Sequence, residues 1–348
     1  MFELLLERGA EPFDIQVLYD THFSGDMLWW LELVYRHTID TPRGAAWKDP
    51  EWSMLDMGGY GSGARFILEM AIRHRDMRLA GCALERGASP NAAPARDKRW
   101  MKRTLYELAV LDGLPDMAEL FVRHGAERKA PTLDQREQCF EACLRLDRER
   151  AAAALRAHPE FLQSPRPMFE AAKRDRPDVL ALLLELGFPL EAQDKTGKRA
   201  LHEAAYANAV RAAQFLIDRG AEIDPRESTH GGAPISWASH GDRQEAMDLL
   251  SRHSRYIWRL CFRGYVERVR EILRESSELA RQVNDEGMTP LWWLPDDDEK
   301  AMQIVELLLA AGADAALKSA DGRTAADWAR RRGMVNIAKR LDTIPVRL

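Results

Sequence analysis

Apolar residues along the chain fall into short helix-length segments, and the same order of segments returns many times. A segment with paired small residues comes first, as in HEAAYA at 202–207, and a leucine-rich segment follows it. A glycine after the second segment can take the left-handed conformation that ends a helix. The pattern therefore predicts paired helices that repeat about every 33 residues. The helix ends that show the repeat most clearly are LLERGA at 5–10, ALERGA at 83–88, FVRHGA at 121–126, LLELGF at 183–188, LIDRGA at 216–221 and LLAAGA at 308–313.

The predicted pairs are expected to stack. Small residues such as Ala204 and Ala205 let neighbouring helices approach closely, and leucines fill the space between layers. One pair cannot bury its own apolar face, whereas a stack of pairs can. Stacking also accommodates 348 residues, because a single compact core stops growing near about 250–300 residues. The predicted complete pairs lie at 14–39, 64–91, 103–128, 135–162, 166–191, 199–224, 233–254, 255–284 and 289–317, a last pair lies at 324–344, and residues 1–11 hold only a second helix.

Turn sequences precede several of the pairs and carry a family resemblance. They read DKTGKRAL at 194–201, NDEGMTPL at 284–291 and SADGRTAA at 319–326. Together with the helix ends they resemble the ankyrin repeat family, whose pattern is D-x-x-G-x-T-P-L-H-x-A-A followed by V-x-x-L-L-x-x-G-A-D. The resemblance is close at 194–224 and 284–326 and looser over nearly all the remaining chain. It implies an all-α ankyrin-repeat solenoid of stacked antiparallel helix pairs, with short turn fingers and one long insertion near residues 40–63.

Three irregularities interrupt the repeat. The chain opens inside a second helix, which is typical of a fragment or of a modified terminal cap, and we favour these over a dimer interface. Residues 40–63 are far longer than a normal inter-repeat turn. At 254/255 one repeat follows the next with almost no finger. We therefore predict an N-terminal block at 1–254 and a C-terminal block at 255–348, continuous with each other.

Composition favours a soluble, cytoplasmic protein. The net charge of −5 is mild and argues against a general nucleic-acid binder. The four cysteines form no CxxC pair, which suits a reducing compartment. The start of the chain lacks the order of a signal peptide, and no apolar run is long enough to cross a bilayer. We expect no membrane association and no cofactor, and the oligomeric state stays open.

The resemblance implies that partners bind along a concave side built from the turn fingers and the exposed positions of the first helices. The position after the family histidine faces that groove. In this sequence the position holds Asp20, Glu141, Glu170, Glu203, Trp237, Arg259, Trp293 and Trp328, and a one-residue gap would add Glu69 and Glu107. The middle repeats thus present carboxylates, and the C-terminal repeats present aromatic rings.

Each set has a functional and a structural interpretation. A column of carboxylates attracts a basic peptide, because a concave surface focuses the field, but a single exposed glutamate also serves helix propensity and solubility. Exposed tryptophans suit an interface, since aromatic anchors carry much of the binding energy. Trp47, Trp52 and Tyr60 in the long insertion are either further contacts or a local core of a loop folded back on the stack.

Most candidates for catalysis or metal binding have structural explanations. Cys139, Cys143 and Cys261 occupy core positions of the repeat, so buried thiols are favoured over metal ligands. His202 is the family histidine, which ordinarily braces the turn. The acidic run at 296–298 favours a helix cap over a metal site, and no EF-hand spacing is present. We therefore predict no metal site.

Two classes of function remain, with a third possibility beside them. The leading hypothesis is a non-enzymatic scaffold that binds a protein or peptide through the groove and the 40–63 finger, with a basic partner as one option. The alternative is an enzyme of the hydrolase or glycoside-processing type, with Glu141, Glu170 and Glu203 as catalytic candidates beside tryptophans. The third is a regulatory or presenting portion of a larger multidomain protein.

Overall fold

The computed structural model describes residues 2–24, 27–93, 103–284 and 286–343. Within these ranges the chain is helical and contains no β-strand. Two single bridges, Gln193 with Arg199 and Lys318 with Thr324, lie in turn fingers. The all-α prediction is confirmed. The chain divides into two compact units, Met1–Asp134 and Gln135–Leu348, which we call the first and the second unit.

Within its described residues, the first unit contains one single helix followed by three helix pairs. The single helix is the predicted half repeat. The bounds are α1 Phe2–Glu7, α2 Ile15–Ser24, α3 Met27–Thr38, α4 Gly63–His74, α5 Met77–Glu85, α6 Leu105–Leu111 and α7 Pro115–Arg123.

The second unit continues the same pattern through seven predicted repeats. The last predicted pair reaches residue 344, which lies outside the described residues. The bounds are α8 Gln135–Leu144, α9 Arg148–Ala157, α10 Arg166–Lys173, α11 Pro177–Glu185, α12 Ala200–Tyr206, α13 Val210–Asp218, α14 Pro234–His240, α15 Gln244–Ser251, α16 Ile257–Phe262, α17 Val266–Glu275, α18 Asp298–Ala310, α19 Ala325–Arg331 and α20 Val335–Asp342.

Small first helices and leucine-rich second helices together form the core of the second unit. Ala204 and Ala205 of α12 are fully buried, as are Leu180 and Leu183 of α11. The first helices pack side by side in the order α8, α10, α12, α14 and α16, and the turn at 290–292 and α19 continue the series. Side chains at the same position of successive first helices therefore lie on one surface.

One predicted first helix is shorter than expected. In the repeat at 289–317 it consists only of the 3₁₀ turn Pro290–Trp292. The cause is Pro295, because a proline disfavours the helical conformation of the residue before it. The second helix of this repeat, α18, is complete and is capped by the Asp297 side chain, which accepts hydrogen bonds from the N–H groups of Glu299 and Lys300. The predicted capping role of the acidic run is confirmed for Asp297.

The long insertion of the first unit folds into three 3₁₀ turns, Pro42–Lys48, Ser53–Leu55 and Gly58–Tyr60. Trp47, Trp52 and Leu55 are buried inside it. The rings of the two tryptophans meet edge to face, with their centroids 4.9 Å apart. Aromatic pairs favour this geometry. The buried residues of the insertion thus belong to the core of the first unit.

The predicted boundary at 254/255 lies inside the second unit. Here Ser254 Oγ and Arg255 N donate hydrogen bonds to the two carboxylate oxygens of Asp224, at 2.7 and 2.6 Å. The buried core of the second unit includes residues on both sides of this position. A division of the chain into blocks at 254/255 stays a prediction.

Candidate partner-binding surface

Seven predicted contact residues of the second unit hold the position that the repeat pattern assigns to the groove; six lie in first helices, and Trp293 directly follows the turn Pro290–Trp292. All seven are half-buried, and the helices that carry them pack side by side. We call this set the first-helix row. Its members are Glu141, Glu170, Glu203, Trp237, Arg259, Trp293 and Trp328.

The three carboxylates of the row each have a cation of their own repeat as partner. The pairs are Glu141 with Arg145 at 2.7 Å, Glu170 with Arg174 at 3.4 Å and Glu203 with Lys198 at 2.5 Å. Partly exposed ion pairs of this kind add little stability, but each cation offsets most of the field of its carboxylate. The row consequently offers a basic peptide less attraction than the sequence of glutamates alone indicates.

Lys198 belongs to this surface, although sequence analysis did not single it out. Its Nζ lies 5.0 Å from the ring centre of Phe169 and 5.7 Å from that of Trp237, and it also binds Glu203. An ammonium over an aromatic face is attracted by the ring quadrupole. Lys198 stands in the turn finger before α12, so only the folded finger brings it beside Trp237.

Trp237 packs across the layer boundary between α12 and α14. Its ring meets His202 edge to face at 5.5 Å and Tyr206 at 6.0 Å between ring centres. Gly232 leaves room for it, because a Cβ there would stand 3.2 Å from Trp237 Cδ1. These contacts fix the orientation of the indole while leaving it half-exposed.

His202 braces the finger, as the resemblance implies. Its Nδ1 accepts a hydrogen bond from the Arg199 backbone N–H at 3.1 Å, and its Nε2 lies 3.2 Å from the Gly232 carbonyl oxygen. With Nδ1 as acceptor, Nε2 is the protonated nitrogen and donates to that carbonyl. Burial lowers the pKa of His202, so the neutral ring that these bonds require is favoured.

Arg259 differs from the other charged members of the row, because it has no carboxylate partner among the described residues. Its guanidinium lies 5.2 Å from the ring centre of Phe262 and 6.0 Å from that of Trp293. Nη1 reaches Ser239 Oγ at 3.4 Å. Burial lowers the pKa of Arg259, and the charge of neighbouring Arg263 acts in the same direction.

Of the three tryptophans nearest the C-terminus, one is buried and two are half-buried. Trp292 is buried and stands 6.5 Å from half-exposed Trp328 between ring centres. Trp293 is half-buried against Phe262, at 6.2 Å. Trp292 therefore packs between repeats, whereas Trp293 and Trp328 each keep an exposed face.

The acidic residues predicted for the first unit are engaged locally to different extents. Asp20 is exposed and accepts a hydrogen bond from Gln16 at 3.0 Å. Glu69 forms an ion pair with fully buried Arg65 of its own helix. Glu107 closes a capping box, in which its carboxylate accepts from the N–H of Thr104 at 2.8 Å. Glu69 and Glu107 therefore have structural roles that explain their presence without a partner.

The aromatic residues of the insertion are mostly internal. Trp47 Nε1 donates to Thr38 Oγ1 at 2.8 Å, and Trp52 is fully buried. Tyr60 remains 38% exposed and packs against Tyr19 at 5.9 Å between ring centres. Of the three, only Tyr60 is accessible to a partner in this structure.

The residues with nucleophilic or metal-binding chemistry are buried or dispersed. All four cysteines are free thiols in the core. Burial raises the pKa of Cys143 to about 12 and also raises that of Cys261. In the described ranges no three His, Cys, Asp or Glu side chains come together as a metal site would require. No described helix combines the length and apolar character needed to cross a membrane.

The architecture defines a helical-repeat protein with turn fingers, and comparison with known proteins identifies the repeat. A family model described as "Ankyrin repeats (many copies)" matches residues 168–217. YahD of Escherichia coli (strain K12), a protein named for its ankyrin repeats, is 28% identical over 184 residues, which cover 49% of this chain and 92% of YahD. The chain belongs to the ankyrin-repeat family.

Two further similarities cover different shares of the proteins compared. The B-cell lymphoma 3 protein homolog of Mus musculus is 25% identical over 243 residues, which cover 69% of this chain but only 42% of that protein. A crystal structure of an ankyrin repeat domain from Acinetobacter baumannii AYE is 30% identical, with a TM-score of 0.39, and the match covers 50% of this chain and 95% of that one. As a member of the family, the chain is a repeat scaffold of the kind that supports protein–protein interaction.

Proposed function

We propose that this protein is a non-enzymatic scaffold that binds a protein or peptide partner along the first-helix row of the second unit. The observation that carries the proposal is the series Trp237, Arg259, Trp293 and Trp328. These large side chains lie half-exposed on successive layers, each oriented by contacts with its neighbours. Rigid, partly exposed aromatic and arginine side chains are the residues that most often anchor interfaces.

The enzyme alternative finds less support in the same surface. A glycoside-processing site needs two carboxylates directed at one substrate, one of them kept protonated by its surroundings. Glu170 and Glu203 instead form separate ion pairs, with Arg174 and Lys198 respectively. We therefore retain the non-enzymatic scaffold as the proposed function. Its cytoplasmic location, and its place as a portion of a larger protein, stay predictions from the sequence.

The contribution of the first unit is limited to exposed groups. Asp20 and Tyr60 are accessible and remain candidates for partner contact. Trp47 and Trp52 are left out of the proposed surface, because their burial leaves no face for a partner. Among the three aromatic residues singled out in the 40–63 finger, contact would therefore depend on Tyr60.

Selection of binding peptides tests the proposal. A phage-displayed library of random dodecapeptides would be selected on the full chain, and the best peptide measured against Trp237→Ala, Trp293→Ala and the control Trp29→Ala, whose tryptophan is exposed in α3. We expect each row variant to weaken binding by about 30-fold, as loss of an interface anchor does. The control should bind as wild type does.

Hydrogen exchange on the wild-type chain with bound peptide gives a second measurement that needs no variant. Peptide should slow exchange in α14, α16 and the 290–292 turn. Protection confined to the second helices, or undiminished affinity of both folded row variants, would contradict the proposal.

A further inference from the structure

Arg259 is an unpaired cation in a surface whose other charges are paired. Each carboxylate of the first-helix row has its own cation, and the neighbouring Arg263 binds Asp242 at 3.0 Å. Among the described residues no acidic group lies within ion-pair distance of Arg259, and its buried Nε has no hydrogen-bond acceptor. Within the described residues, the one hydrogen-bond contact of the guanidinium is the 3.4 Å approach of Nη1 to Ser239 Oγ.

The surroundings of Arg259 make this arrangement costly for the free protein. The guanidinium lies against the rings of Phe262 and Trp293, and it is partly desolvated there. Trp293 Nε1 is also buried without an acceptor among the described residues. A buried charge or donor without a partner destabilises a fold unless something else compensates for it. Two donors that lack acceptors therefore stand side by side on the proposed binding surface.

We propose that Arg259 receives the carboxylate of an aspartate or glutamate side chain from a bound partner segment. The inference rests on the proposed function and specifies its chemistry. A guanidinium binds a carboxylate through two parallel hydrogen bonds, and such a pair is strongest where water is excluded. Trp237 in the preceding layer and Trp293 in the following turn supply aromatic surface for apolar residues on either side of that acid.

The polarity of this partner is opposite to the one predicted from the glutamates. Glu141, Glu170 and Glu203 are neutralised within their own repeats, so they give a basic partner few unpaired charges to meet. Among the charged residues of the first-helix row, Arg259 is the one without an ion-pair partner in the described residues, so its charge is available to a bound segment. A segment with an acidic residue between apolar ones fits the surface better than a basic segment does.

The test uses peptides with a fixed centre and random flanks. N-acetylated, C-amidated heptapeptide pools would carry Glu, Gln or Lys at the central position. A fourth pool would carry central Gln and a free C-terminal carboxylate. Binding to the full chain would be compared for wild type, Arg259→Gln and the control Arg274→Gln, whose arginine is exposed on α17.

We expect wild type and Arg274→Gln to retain the Glu pool about 10-fold more strongly than the Gln pool. Arg259→Gln should bind both pools alike. Preference for the Lys pool, a Glu preference that survives in Arg259→Gln, or strongest binding of the free-carboxylate pool would overturn the assignment. If no pool binds, the proposed function fails, whereas binding without any preference for Glu refutes only the role of Arg259.

Stability provides an independent measurement. Arg259→Met keeps an apolar stem against Phe262 and Trp293 and removes the unpaired charge. We expect its urea midpoint to rise, because replacing an uncompensated buried charge by a packed apolar side chain stabilises a fold. A lower midpoint would show that Arg259 serves the fold instead, and would count against a binding role.

Discussion

A single buried carboxylate holds the turn finger before α14 in shape. Glu227 is almost completely buried, and its oxygens accept hydrogen bonds from the backbone N–H groups of Thr229, His230 and Gly232 at 2.6, 2.9 and 3.2 Å. Burial opposes ionisation of Glu227, but these three bonds outweigh it and hold its pKa below the usual range. The sequence shows only a glycine-rich finger here, because nothing in STHGGAP indicates which side chain its amides will meet.

We predict that Glu227→Gln destabilises the chain by about 1–3 kcal/mol at pH 7, because an amide cannot accept all three bonds and leaves a buried N–H without an acceptor. The pKa of Glu227 is lower in the folded state, so its stabilisation is complete above the unfolded-state pKa of about 4.3 and is lost as the pH falls through the folded-state pKa. Urea unfolding at pH 7 and near pH 3.5 should show the difference from wild type shrinking at the lower pH.

Glu278→Gln is the matched control for that experiment, since Glu278 is exposed in the 3₁₀ turn Ser277–Arg281. The urea midpoint of Glu278→Gln should equal that of wild type at both pH values. A gap between Glu227→Gln and wild type that widens in acid would contradict the assigned role of Glu227.

Two of the ion pairs in the first-helix row could have been predicted from the sequence. Arg145 and Arg174 follow Glu141 and Glu170 by four residues, the spacing at which helix side chains meet. The pairing of Lys198 with Glu203 required the folded finger. The isolation of Arg259 required the positions of every neighbouring layer, so no local pattern reveals it.

At the scale of the element, the turn between the two helices of a repeat requires one residue with a left-handed backbone conformation. Different residue types occupy this position in different repeats. Leu146 and Asp175 occupy equivalent turns with left-handed backbone, at φ of 62° and 52°. Leu146 is 43% exposed, so its side chain offers little packing in return. Asp175 accepts hydrogen bonds from Ala212 N and Arg211 Nε of the next repeat, both at 2.7 Å.

Glycine substitutions at these two turns should have opposite effects. Leu146→Gly should stabilise the chain by roughly 0.5–1 kcal/mol, because glycine takes the left-handed conformation without steric cost. Asp175→Gly should destabilise it by about 1 kcal/mol, since it removes bonds that join neighbouring repeats. Urea midpoints followed by circular dichroism would measure both changes, and equal shifts in one direction would show that backbone conformation alone decides the outcome.

The elements themselves were largely predictable, and the exceptions have local causes. Small residues and glycine-terminated leucine segments repeat in nearly every layer, so the helix pairs followed from the sequence. Pro295 shortened one first helix, and its effect is readable only once the register is known. The sequence located the insertion but left its tryptophans open between partner contacts and internal packing, because Trp47 and Trp52 find their neighbours through tertiary contacts and their surroundings have no repeat.

At the scale of the whole molecule, a stack of repeats carries its stability through contacts between neighbours. The fully buried Trp52 lies in the core of the first unit, next to Trp47 and close to the start of α4. Damage at this site should therefore weaken the layers around it and leave distant layers protected.

We predict that Trp52→Ala destabilises the first unit by about 3–5 kcal/mol through the cavity it leaves. Hydrogen exchange of the full chain should quicken in residues 42–74 and stay unchanged in α18 and α20 of the second unit. Trp29→Ala, which removes an exposed ring, should alter neither region. Uniform acceleration along the whole chain in Trp52→Ala would contradict nearest-neighbour stability.

The four free thiols can report local opening of this protein through their reactivity. Cys82 lies in the first unit, and Cys139, Cys143 and Cys261 lie in the second. Burial raises the pKa of all four, and only the thiolate reacts readily, so alkylation must wait until a layer opens to solvent. Iodoacetamide and mass spectrometry can thus time the opening of each unit separately, in the wild-type chain and without any engineered label.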